Sequence, residues 1–339
     1  MRARGQSFVI RHAVDPEHPS LEIISAAAAV IRRGGLVAFP TETVYGLGAD
    51  ALSERAVLGI FTAKGRPSYN PIIAHVASIE HAKSLVTQWP QAAARLAARF
   101  WPGPLTMVLP RAPHVPLALT AGRDTVAVRM PAHPVALALI TAADCPIAAP
   151  SANRFTEVSP TTADHVARGL GDRVDMILDG GPSSVGIEST VVDLSGDIPV
   201  LLRPGILSRT DLERELGVPL RDPAPATHAT EARVSPGMID RHYAPRARVV
   251  LAAPADVGAV IAREAGNGRR VGAMVVVADA AGAAHVQRMP ADPLGYAHAL
   301  YAALHAADDA ACDVLCIEEP PDGPEWAGVN DRLRRAAHP

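Results

Sequence analysis

Apolar and polar residues follow two different periods along the chain, and these periods predict its helices and strands. A helical period predicts a first helix over Leu21–Arg33, with Ser20 as its N-cap and Gly34-Gly35 as its stop. A short apolar run then predicts a buried strand over Leu36–Phe39, followed by a loop over Pro40–Gly48. The same periods predict further helices near Glu54–Ala63, Glu80–Thr87, Gln91–Phe100, His133–Ala142, Ala163–Gly169 and Asp211–Leu216. They predict further strands near Ile72–Val76, Leu105–Leu109, Thr125–Arg129, Pro146–Ala149, Val174–Asp179, Ser189–Leu194 and Val200–Leu202.

The order of these elements lacks the strict strand–helix–strand alternation of a doubly wound sheet. It favours an α/β fold built on a mixed, twisted sheet with helices on it. Residues 217–236 are rich in Pro, Ala, Thr and Arg and show no period, which predicts a linker. Beyond it, strands and helices alternate as in a small parallel α/β unit, over Ala247–Ala252, Asp256–Ala265, Val271–Ala278, Pro293–Ala307 and Val314–Glu318. The predicted divisions are a first domain over residues 1–209, a linker or lid over 210–246 and a second domain over 247–339.

Composition and charge narrow the possible functions. At 339 residues the chain exceeds the size at which one core usually keeps growing, which also favours two domains. The net charge of −3 provides no overall attraction for nucleic acid or an anionic membrane, so a polyanion must meet a local basic cluster. Cys145, Cys312 and Cys316 form no even disulfide framework. Residues 1–14 contain no apolar core of a signal peptide, and no apolar run reaches the length of a membrane segment. We therefore expect a soluble protein of the reducing cytoplasm.

The segment Lys64–Pro71 carries two cations two positions apart, where one glycine and two prolines prevent a helix from continuing. In an extended loop, residues i and i+2 point the same way, so we expect Lys64 and Arg66 to converge on one anion. The Arg fork suits two phosphate oxygens at once, while the Lys acts as a mobile charge. The segment therefore indicates a polyphosphate clamp, and the alternative is a solvated basic turn.

Polar residues also stand at the predicted strand ends. The loop Pro40–Gly48 has two threonines, a glutamate, a tyrosine and two glycines, which suit a ligand-binding loop or a simple turn with Tyr45 packed on the core. Arg129 ends an apolar strand and needs a carboxylate, from a ligand or from a structural salt bridge. Similar small and polar groups occur at Ala148–Asn153, Ser159–Thr162, Gly186–Thr190 and Leu202–Gly205. In Ser159–Thr162, capping of the following helix would also explain the serine.

Two further features bear on function. The chain has no GxSxG elbow, HExxH pair, phosphate loop ending in GKS or GKT, or GxGxxG after the first strand, so these common enzyme patterns are unsupported. The predicted linker carries Met238, His242 and Tyr243 between prolines, which a featureless tether would not need. These side chains either pack the junction between domains or fold over a ligand as a lid.

Together these segments resemble the YrdC-type L-threonylcarbamoyladenylate synthases in their two-domain form. The resemblance covers residues 20–207 in order, and HYAP at His242–Pro245 and the α/β tail match the longer subclass. It rests on FPTETVYGLG (Phe39–Gly48), KGRPSYNP (Lys64–Pro71), TVAVRMP (Thr125–Pro131), PSAN (Pro150–Asn153), SPTT (Ser159–Thr162), GIESTVVDL (Gly186–Leu194) and LRPG (Leu202–Gly205). It implies a twisted mixed sheet related to double-stranded-RNA-binding proteins, followed by a Rossmann-like domain.

The resemblance also implies a reaction, in which L-threonine, bicarbonate or CO2 and ATP give threonylcarbamoyl-AMP and pyrophosphate. The product would pass to a tRNA threonylcarbamoyltransferase complex, and direct tRNA binding would not be required. The implied cofactor is Mg²⁺ carried by ATP, with no protein side chain as metal ligand. Because a threonine carbamate is already an anionic nucleophile, the reaction needs charge neutralisation and positioning more than a strong general base.

By position in the matching motifs, the resemblance assigns the family's functional residues to thirteen positions of this chain. The resemblance implies that L-threonine is held by Thr43, His75, Arg129, Ala149 and Ser189. It implies that ATP is held by Arg66, Asn70, Thr125, Ser151, Ser159, Arg203 and Tyr243, with Lys64 at the phosphates and Lys64 and Arg66 as the catalytic pair. Two departures, Ile239-Asp240 before the HYAP motif and Phe155-Thr156 after PSAN, bear on the lid and not on the reaction.

Two alternatives belong to other functional classes. An RNA-binding or ribosome-associated module of the same fold is disfavoured by the negative net charge and by an aromatic content of 4%. The carbamoyl-transfer domain of hydrogenase maturation would come with an acylphosphatase-like region and paired CxxC zinc fingers, which this sequence lacks.

Overall fold

Two β-sheets form from separate stretches of the chain in a computed structural model, which describes residues 9–223 and 242–338. The strands of the first sheet are β1 (Ile10–Ala13), β2 (Val37–Phe39), β3 (Gly46–Asp50), β4 (Ala74–His75), β5 (Leu105–Pro110), β6 (Thr125–Arg129), β7 (Ile147–Ala148), β8 (Met176–Asp179), β9 (Thr190–Asp193) and β10 (Val200–Arg203). The helices around it are α1 (Leu21–Arg32), α2 (Glu54–Lys64), α3 (Ile79–Ser84), α4 (Gln91–Phe100), α5 (Leu117–Thr120), α6 (Pro134–Ala143), α7 (Ala163–Leu170) and α8 (Arg209–Leu216).

The first sheet is mixed. Its described strands run in the order β1-β8-β2-β3-β7-β4-β6-β5-β9-β10. Strand β2 pairs antiparallel with β3 and parallel with β8, and β5 pairs antiparallel with β6 and parallel with β9. Apolar side chains from the sheet and its helices are fully buried against each other, as in Leu47, Ile60 and Leu105. The predicted mixed α/β sheet is confirmed.

The second sheet is parallel throughout its described strands. These are β11 (Arg248–Ala252), β12 (Val271–Val275), β13 (His285–Arg288) and β14 (Val314–Glu318), in the order β11-β14-β12-β13. The helices α9 (Val257–Gly266), α10 (Pro293–Asp309) and α11 (Ala327–Ala336) accompany it. This is the small parallel α/β unit that the sequence predicts. None of the helices in the described parts of the chain is long and apolar enough to cross a membrane.

Several element predictions need correction. The loop predicted over Pro40–Gly48 ends earlier, because Gly46–Gly48 already belongs to β3. A β-carbon on Gly48 would lie only 2.8 Å from the ring of Phe39, so glycine allows this strand to pack there. Strands β1 and β13 were not predicted because they are partly exposed edge strands without an apolar run. Helices α5 and α11 were also missed, the first because it has one turn and the second because it is strongly polar.

The two parts of the molecule share a buried core. Val44, Val158 and Ile187 of the first part pack in one apolar cluster with Tyr243 and Tyr301. This cluster lies beside the strand ends that carry the predicted site residues, so α10 and α11 pack close to the candidate site. The pieces of the predicted linker at 235–238 and 239–240 lie outside the described residues.

Candidate active site

Loops at the ends of the central strands meet around a narrow cavity. Backbone hydrogen bonds join these loops: Tyr45 N to Pro160 O, Leu47 N to Pro150 O and Gly186 N to Thr43 O, at 2.8 to 3.1 Å. The cavity has a volume of about 40 Å³, so protein side chains fill most of the cleft and a nucleotide requires some of them to move. Its lining consists of Thr41, Thr43, Val44, Gly46, Arg66, Ile73, His75, Arg129, Ala149, Pro150, Ser151, Glu188, Ser189, Arg203, His242 and Tyr243.

Most of the predicted site residues are therefore brought together. All five positions assigned to threonine line the cavity, and so do four of those assigned to ATP. They come from distant parts of the chain, and most of them stand next to the end of a strand or helix. The threonine set is Thr43, His75, Arg129, Ala149 and Ser189, and the ATP positions are Arg66, Ser151, Arg203 and Tyr243. This convergence is a property of the fold, and the ligand assigned to each residue stays a prediction.

Arg129 is held between two strands and a carboxylate. It is the register partner of His75 across the parallel β4–β6 pair. Its Nη2 lies 2.7 Å from Oε1 of Glu42, outside hydrogen-bond geometry, and its Nε donates to Gly103 O at 3.3 Å. Both partners of the ion pair are buried. The structural salt bridge that the sequence left open for Arg129 is thus present, and the residue also lines the cavity.

His75 is neutral in this environment. Burial, with the positive charge of Arg129 acting in the same direction, lowers its pKa to about 3. Beside it, the hydroxyl of Thr43 shares a 2.8 Å hydrogen bond with that of Thr41. The part of the cavity around Arg129 therefore combines one buried cation with a neutral imidazole and a hydroxyl, which suits a zwitterionic or anionic small molecule.

Two more guanidiniums line the cavity. Arg66 donates from Nη2 to Pro71 O at 3.0 Å, and burial lowers its pKa to about 10, so it stays charged at neutral pH. Arg203 donates from Nε and Nη2 to Ser189 O at 3.1 and 2.9 Å, and from Nη2 to the Ser189 hydroxyl at 3.1 Å. Thr106 shares a further 2.8 Å hydrogen bond with that hydroxyl. Ser189 is therefore held by hydrogen bonds from both Arg203 and Thr106.

Lys64 differs from its prediction. It is the last residue of α2, and Gly65 follows with φ of 63°, so the two cations do not project together from an extended loop. The alternative of a solvated turn is also wrong, because Lys64 and Arg66 are both buried. The Lys64 ammonium donates to the carbonyls of Ser151 and Asn153, and burial moves its pKa well below the ordinary value. In this structure Lys64 braces the loop 151–153 and does not line the cavity.

Three other predicted ATP residues do not line the cavity. Asn70 is fully buried, and neither atom of its side-chain amide has a hydrogen-bond partner among the described residues. Thr125 begins β6, four residues from Arg129, which separates the two by about 13 Å along the strand. Ser159 is fully buried and donates to Oε1 of Glu188 at 2.5 Å. The N-cap of α7 is Thr162, so capping does not explain Ser159.

Tyr243 lines the cavity from the segment that begins at residue 242, where the described residues resume. It is 1% exposed, has a φ of 61° and packs in the core shared by the two parts of the molecule. Its neighbour His242 lines the same cavity, and burial lowers the pKa of His242 to about 3, with the charge of Arg66 acting in the same direction. Packing at the junction and contact with the cavity are thus both true of this segment.

Four residues that line the cavity or contact its lining were not predicted. Glu42 and Glu188 stand inside motifs that were noted, but they were given no role. Arg332 and Tyr301 bind Glu188 from helices more than 100 residues further along the chain. Burial alone would raise the pKa of Glu188, but the charges of Arg332 and Arg203 and its hydrogen bonds lower it to about 2. An acidic residue next to a hydroxyl motif was the available signal for Glu188, whereas nothing in the sequence pointed to Arg332.

Comparisons with known families cover nearly the whole chain. Residues 29–205 match the Sua5, YciO and YrdC family, which carries the description "Telomere recombination". Residues 207–338 match a second family, described as the C-terminal domain of threonylcarbamoyl-AMP synthase. The two matches meet at residues 205–207, just beyond β10.

Individual relatives agree with this result. A threonylcarbamoyl-AMP synthase of Pyrococcus abyssi is 45% identical over 320 residues, which cover 93% of this chain and 94% of the relative. A threonylcarbamoyl-AMP synthase of Bacillus subtilis is 43% identical and covers 93% and 92%. Among solved structures, P. abyssi Sua5 in complex with L-threonine superposes with a TM-score of 0.91 at 43% identity, and covers 98% of each chain. The Escherichia coli YciO structure matches 60% of this chain with a TM-score of 0.53 at 25% identity.

Proposed function

This chain belongs to the Sua5, YciO and YrdC family, and from that premise we propose that it is a threonylcarbamoyl-AMP synthase. It converts L-threonine and ATP, together with CO2 or with bicarbonate and the loss of one water, into threonylcarbamoyl-AMP and pyrophosphate, which makes it a nucleotidyltransferase. The product serves the formation of threonylcarbamoyladenosine in tRNA. The structure of the P. abyssi relative with L-threonine supports threonine as the substrate class.

One observation of the site carries this proposal: a single cavity contains three buried guanidiniums. Arg66, Arg129 and Arg203 are 7%, 4% and 3% exposed, and all three line it. Arg129 already pairs with Glu42, and Glu188 lines the same cavity, so these three cations stand beside two carboxylates. The remaining excess of positive charge suits a ligand set that carries several negative charges. Threonine carbamate and ATP together form such a set. We assign the carboxylate of threonine to Arg129 and the phosphates of ATP to Arg66 and Arg203.

The chemistry follows from this division of charge. The threonine carbamate attacks the α-phosphorus of ATP, a bond forms between carbamate oxygen and phosphorus, and pyrophosphate leaves. The nucleophile already carries its negative charge, so the neutral His75 is not needed as a strong base. The contribution of the protein is to hold the two anions in line and to stabilise the charge that moves onto the leaving group, with Arg66 as the principal residue for that purpose.

We propose that Mg²⁺ arrives with ATP. Glu188 is the carboxylate that lines the cavity among the described residues, and its oxygens already accept hydrogen bonds from Ser159, Tyr301 and Arg332. The donor set therefore fits a metal ion that keeps phosphate and water ligands, as Mg²⁺ usually does with nucleotides, and not a cage of protein ligands. The ion would neutralise phosphate charge beside Arg66.

Location and partners belong to the same proposal. We place the enzyme in the cytoplasm, where ATP is available and where its three unpaired cysteines would stay reduced. The product, a reactive mixed anhydride, would pass to a tRNA threonylcarbamoyltransferase complex. The net charge of −3 gives the chain no overall attraction for tRNA, so direct tRNA binding is not part of the proposal.

The test is pyrophosphate release with each substrate omitted in turn. We expect release only when L-threonine, bicarbonate and ATP with Mg²⁺ are all present, together with a threonylcarbamoyl-AMP peak in the chromatogram. Serine in place of threonine serves as a control of the binding pocket. Unchanged release without threonine, or without bicarbonate, would contradict the proposal.

A further inference from the structure

Two side chains of the C-terminal helices hold a carboxylate in the wall of the cavity. Glu188 precedes β9 and lines the cavity. The hydroxyl of Tyr301, in α10, donates to Oε2 of Glu188 at 2.8 Å. Nε of Arg332, in α11, donates to the same oxygen at 2.8 Å, and Nη2 reaches the backbone oxygen of Glu188 at 3.3 Å. Both helices therefore contribute to the site through Glu188.

Through Glu188 and through direct contacts, Tyr301 and Arg332 are linked to two residues predicted to bind ATP. Oε1 of Glu188 accepts a 2.5 Å hydrogen bond from Ser159, one of the residues predicted for ATP. The guanidinium carbon of Arg332 lies 5.3 Å from the ring centre of Tyr243, within cation–π range, and the ring of Tyr301 lies 5.8 Å from the same centre. Loss of either C-terminal side chain would thus act on Ser159 and Tyr243 together.

The contact between the two parts is close enough to depend on glycine. Gly186 has a φ of 86°, and a β-carbon there would lie 2.4 Å from Ala297 O in α10. A β-carbon on Gly328 of α11 would lie 2.5 Å from Gly205 O. These two positions let the helices approach the segments that flank Glu188 and Arg203. The orientation of Arg332 toward Glu188 is therefore set by backbone packing.

Stability alone is a poor explanation for this network. Arg332 is 1% exposed, and a buried ion pair costs desolvation that its attraction often fails to repay. An apolar pair would serve as well if the only role were to join the domains. The buried, ionised carboxylate of Glu188 has a further use in the lining of the cavity, since it fixes hydrogen-bond donors and balances the charge of nearby arginines.

We propose that Arg332 and Tyr301 are positioning residues of the active site, which act through Glu188 on the residues assigned to ATP. The inference rests on the proposed function, because it concerns the handling of ATP. On this view the C-terminal domain is a component of the site, and Glu188 orients Ser159 and stands opposite Arg203. A change that disturbs Glu188 should therefore weaken the binding and use of ATP more than the binding of threonine.

The chain contains its own matched control on α10. Tyr296 and Tyr301 are both fully buried, but only Tyr301 donates to Glu188. The Tyr296 hydroxyl has no hydrogen-bond partner among the described residues, and its ring packs on Trp326. The substitutions Tyr301→Phe and Tyr296→Phe therefore remove the same atom from the same helix, and only the first one touches the site.

The experiment compares these two variants with the wild type. We expect Tyr301→Phe to lower kcat/KM for ATP about tenfold, as for a hydrogen bond to a charged group, and to leave KM for threonine unchanged. We expect Tyr296→Phe to match the wild type. Arg332→Met should lower kcat/KM for ATP more than Tyr301→Phe does. Arg332→Lys should lower it less than Arg332→Met, because it keeps a cation near Glu188.

A pH profile separates positioning from simple packing. The ionisable groups that face Glu188 are Lys64, Arg203, His242, Tyr243, Tyr301 and Arg332. Loss of the Tyr301 hydrogen bond removes a donor to the ionised carboxylate, so the acidic limb of kcat/KM for ATP should move to higher pH in Tyr301→Phe. The limb should stay in place in Tyr296→Phe. A purely structural role would leave the acidic limb in place in both variants.

The affinity for a fluorescent ATP analogue, measured without threonine, makes the inference independent of turnover. Weaker binding in Tyr301→Phe than in Tyr296→Phe supports it, and equal affinities and equal kinetics in the two variants would overturn it. A wild-type protein that binds the analogue but forms no threonylcarbamoyl-AMP would overturn the proposed function instead. The two failures are therefore distinguishable.

Discussion

Oε1 of Glu42 lies 2.7 Å from Nη2 of Arg129, and both side chains are buried, with Arg129 in the lining of the cavity. The carboxylate comes from the loop between β2 and β3, whereas the guanidinium ends β6. The pair therefore ties a loop of the site to the central sheet. It also leaves Arg129 with a compensating charge before any substrate binds.

The first prediction concerns this ion pair. Glu42→Gln removes the negative charge but keeps the shape, which leaves the Arg129 cation buried without compensation. We expect a loss of about 3 kcal/mol in the free energy of unfolding, as measured by urea denaturation. Saturating L-threonine should restore part of that loss, because its carboxylate would replace the missing charge.

The exposed pair between Arg11 and Asp164 provides the control, since its side chains are 40% and 68% exposed. Asp164→Asn should change the free energy of unfolding by less than about 1 kcal/mol. Equal effects of the two substitutions would show that burial does not distinguish these pairs. No recovery with threonine in Glu42→Gln would argue against a carboxylate subsite at Arg129.

The second prediction concerns Arg66. Arg66→Lys keeps the positive charge but loses the planar fork, so one phosphate oxygen would lose its partner. We expect kcat/KM for ATP to fall at least tenfold, about the value of one charge-assisted hydrogen bond, with KM for threonine unchanged. The same change at the exposed Arg33 should have no effect. If Arg66→Lys instead raised KM for threonine, our division of the cavity would be reversed.

Lys64 gives the third prediction, which decides between two roles. A phosphate ligand and a brace of the loop 151–153 predict different results for Lys64→Met. Because its ammonium contacts the carbonyls of Ser151 and Asn153, we expect the substitution to weaken the binding of ATP and of adenosine by similar factors. Calorimetry with both ligands measures this. A loss confined to ATP would place Lys64 at the phosphates after all.

These roles show how far the sequence was informative. Arg129 was predictable because a cation at the end of an apolar strand requires a partner whatever the fold. The convergence of Thr43, His75 and Ser189 was predictable only through the resemblance, since their spacing along the chain carries no contact information. The direction of Lys64 was not predictable, because it depends on whether α2 stops one residue before Lys64 or includes it.

Glu188 shows why the remaining part of the site was out of reach. Its partners Tyr301 and Arg332 lie 113 and 144 residues further along the chain. Arg332 belongs to a helix with strongly polar composition, which looked like surface until the fold buried one of its arginines. Pairing across such separations depends on how the two domains dock, and a local pattern does not encode that.

The last prediction follows from the pKa of His75. Burial and the charge of Arg129 lower this pKa to about 3, against an ordinary value of 6.5. Between these values the unfolded chain binds a proton that the native state does not, so the free energy of unfolding falls as the pH decreases from 6.5 toward 3. At pH 5 the contribution of this residue is a loss of about 2 kcal/mol. His75→Gln should flatten the decline by that amount in urea titrations at pH 7 and 5, relative to His114→Gln at an exposed site. An unchanged slope in His75→Gln would mean that the pKa of His75 is the same in the folded and unfolded protein, and that the fold does not hold the ring neutral beside Arg129.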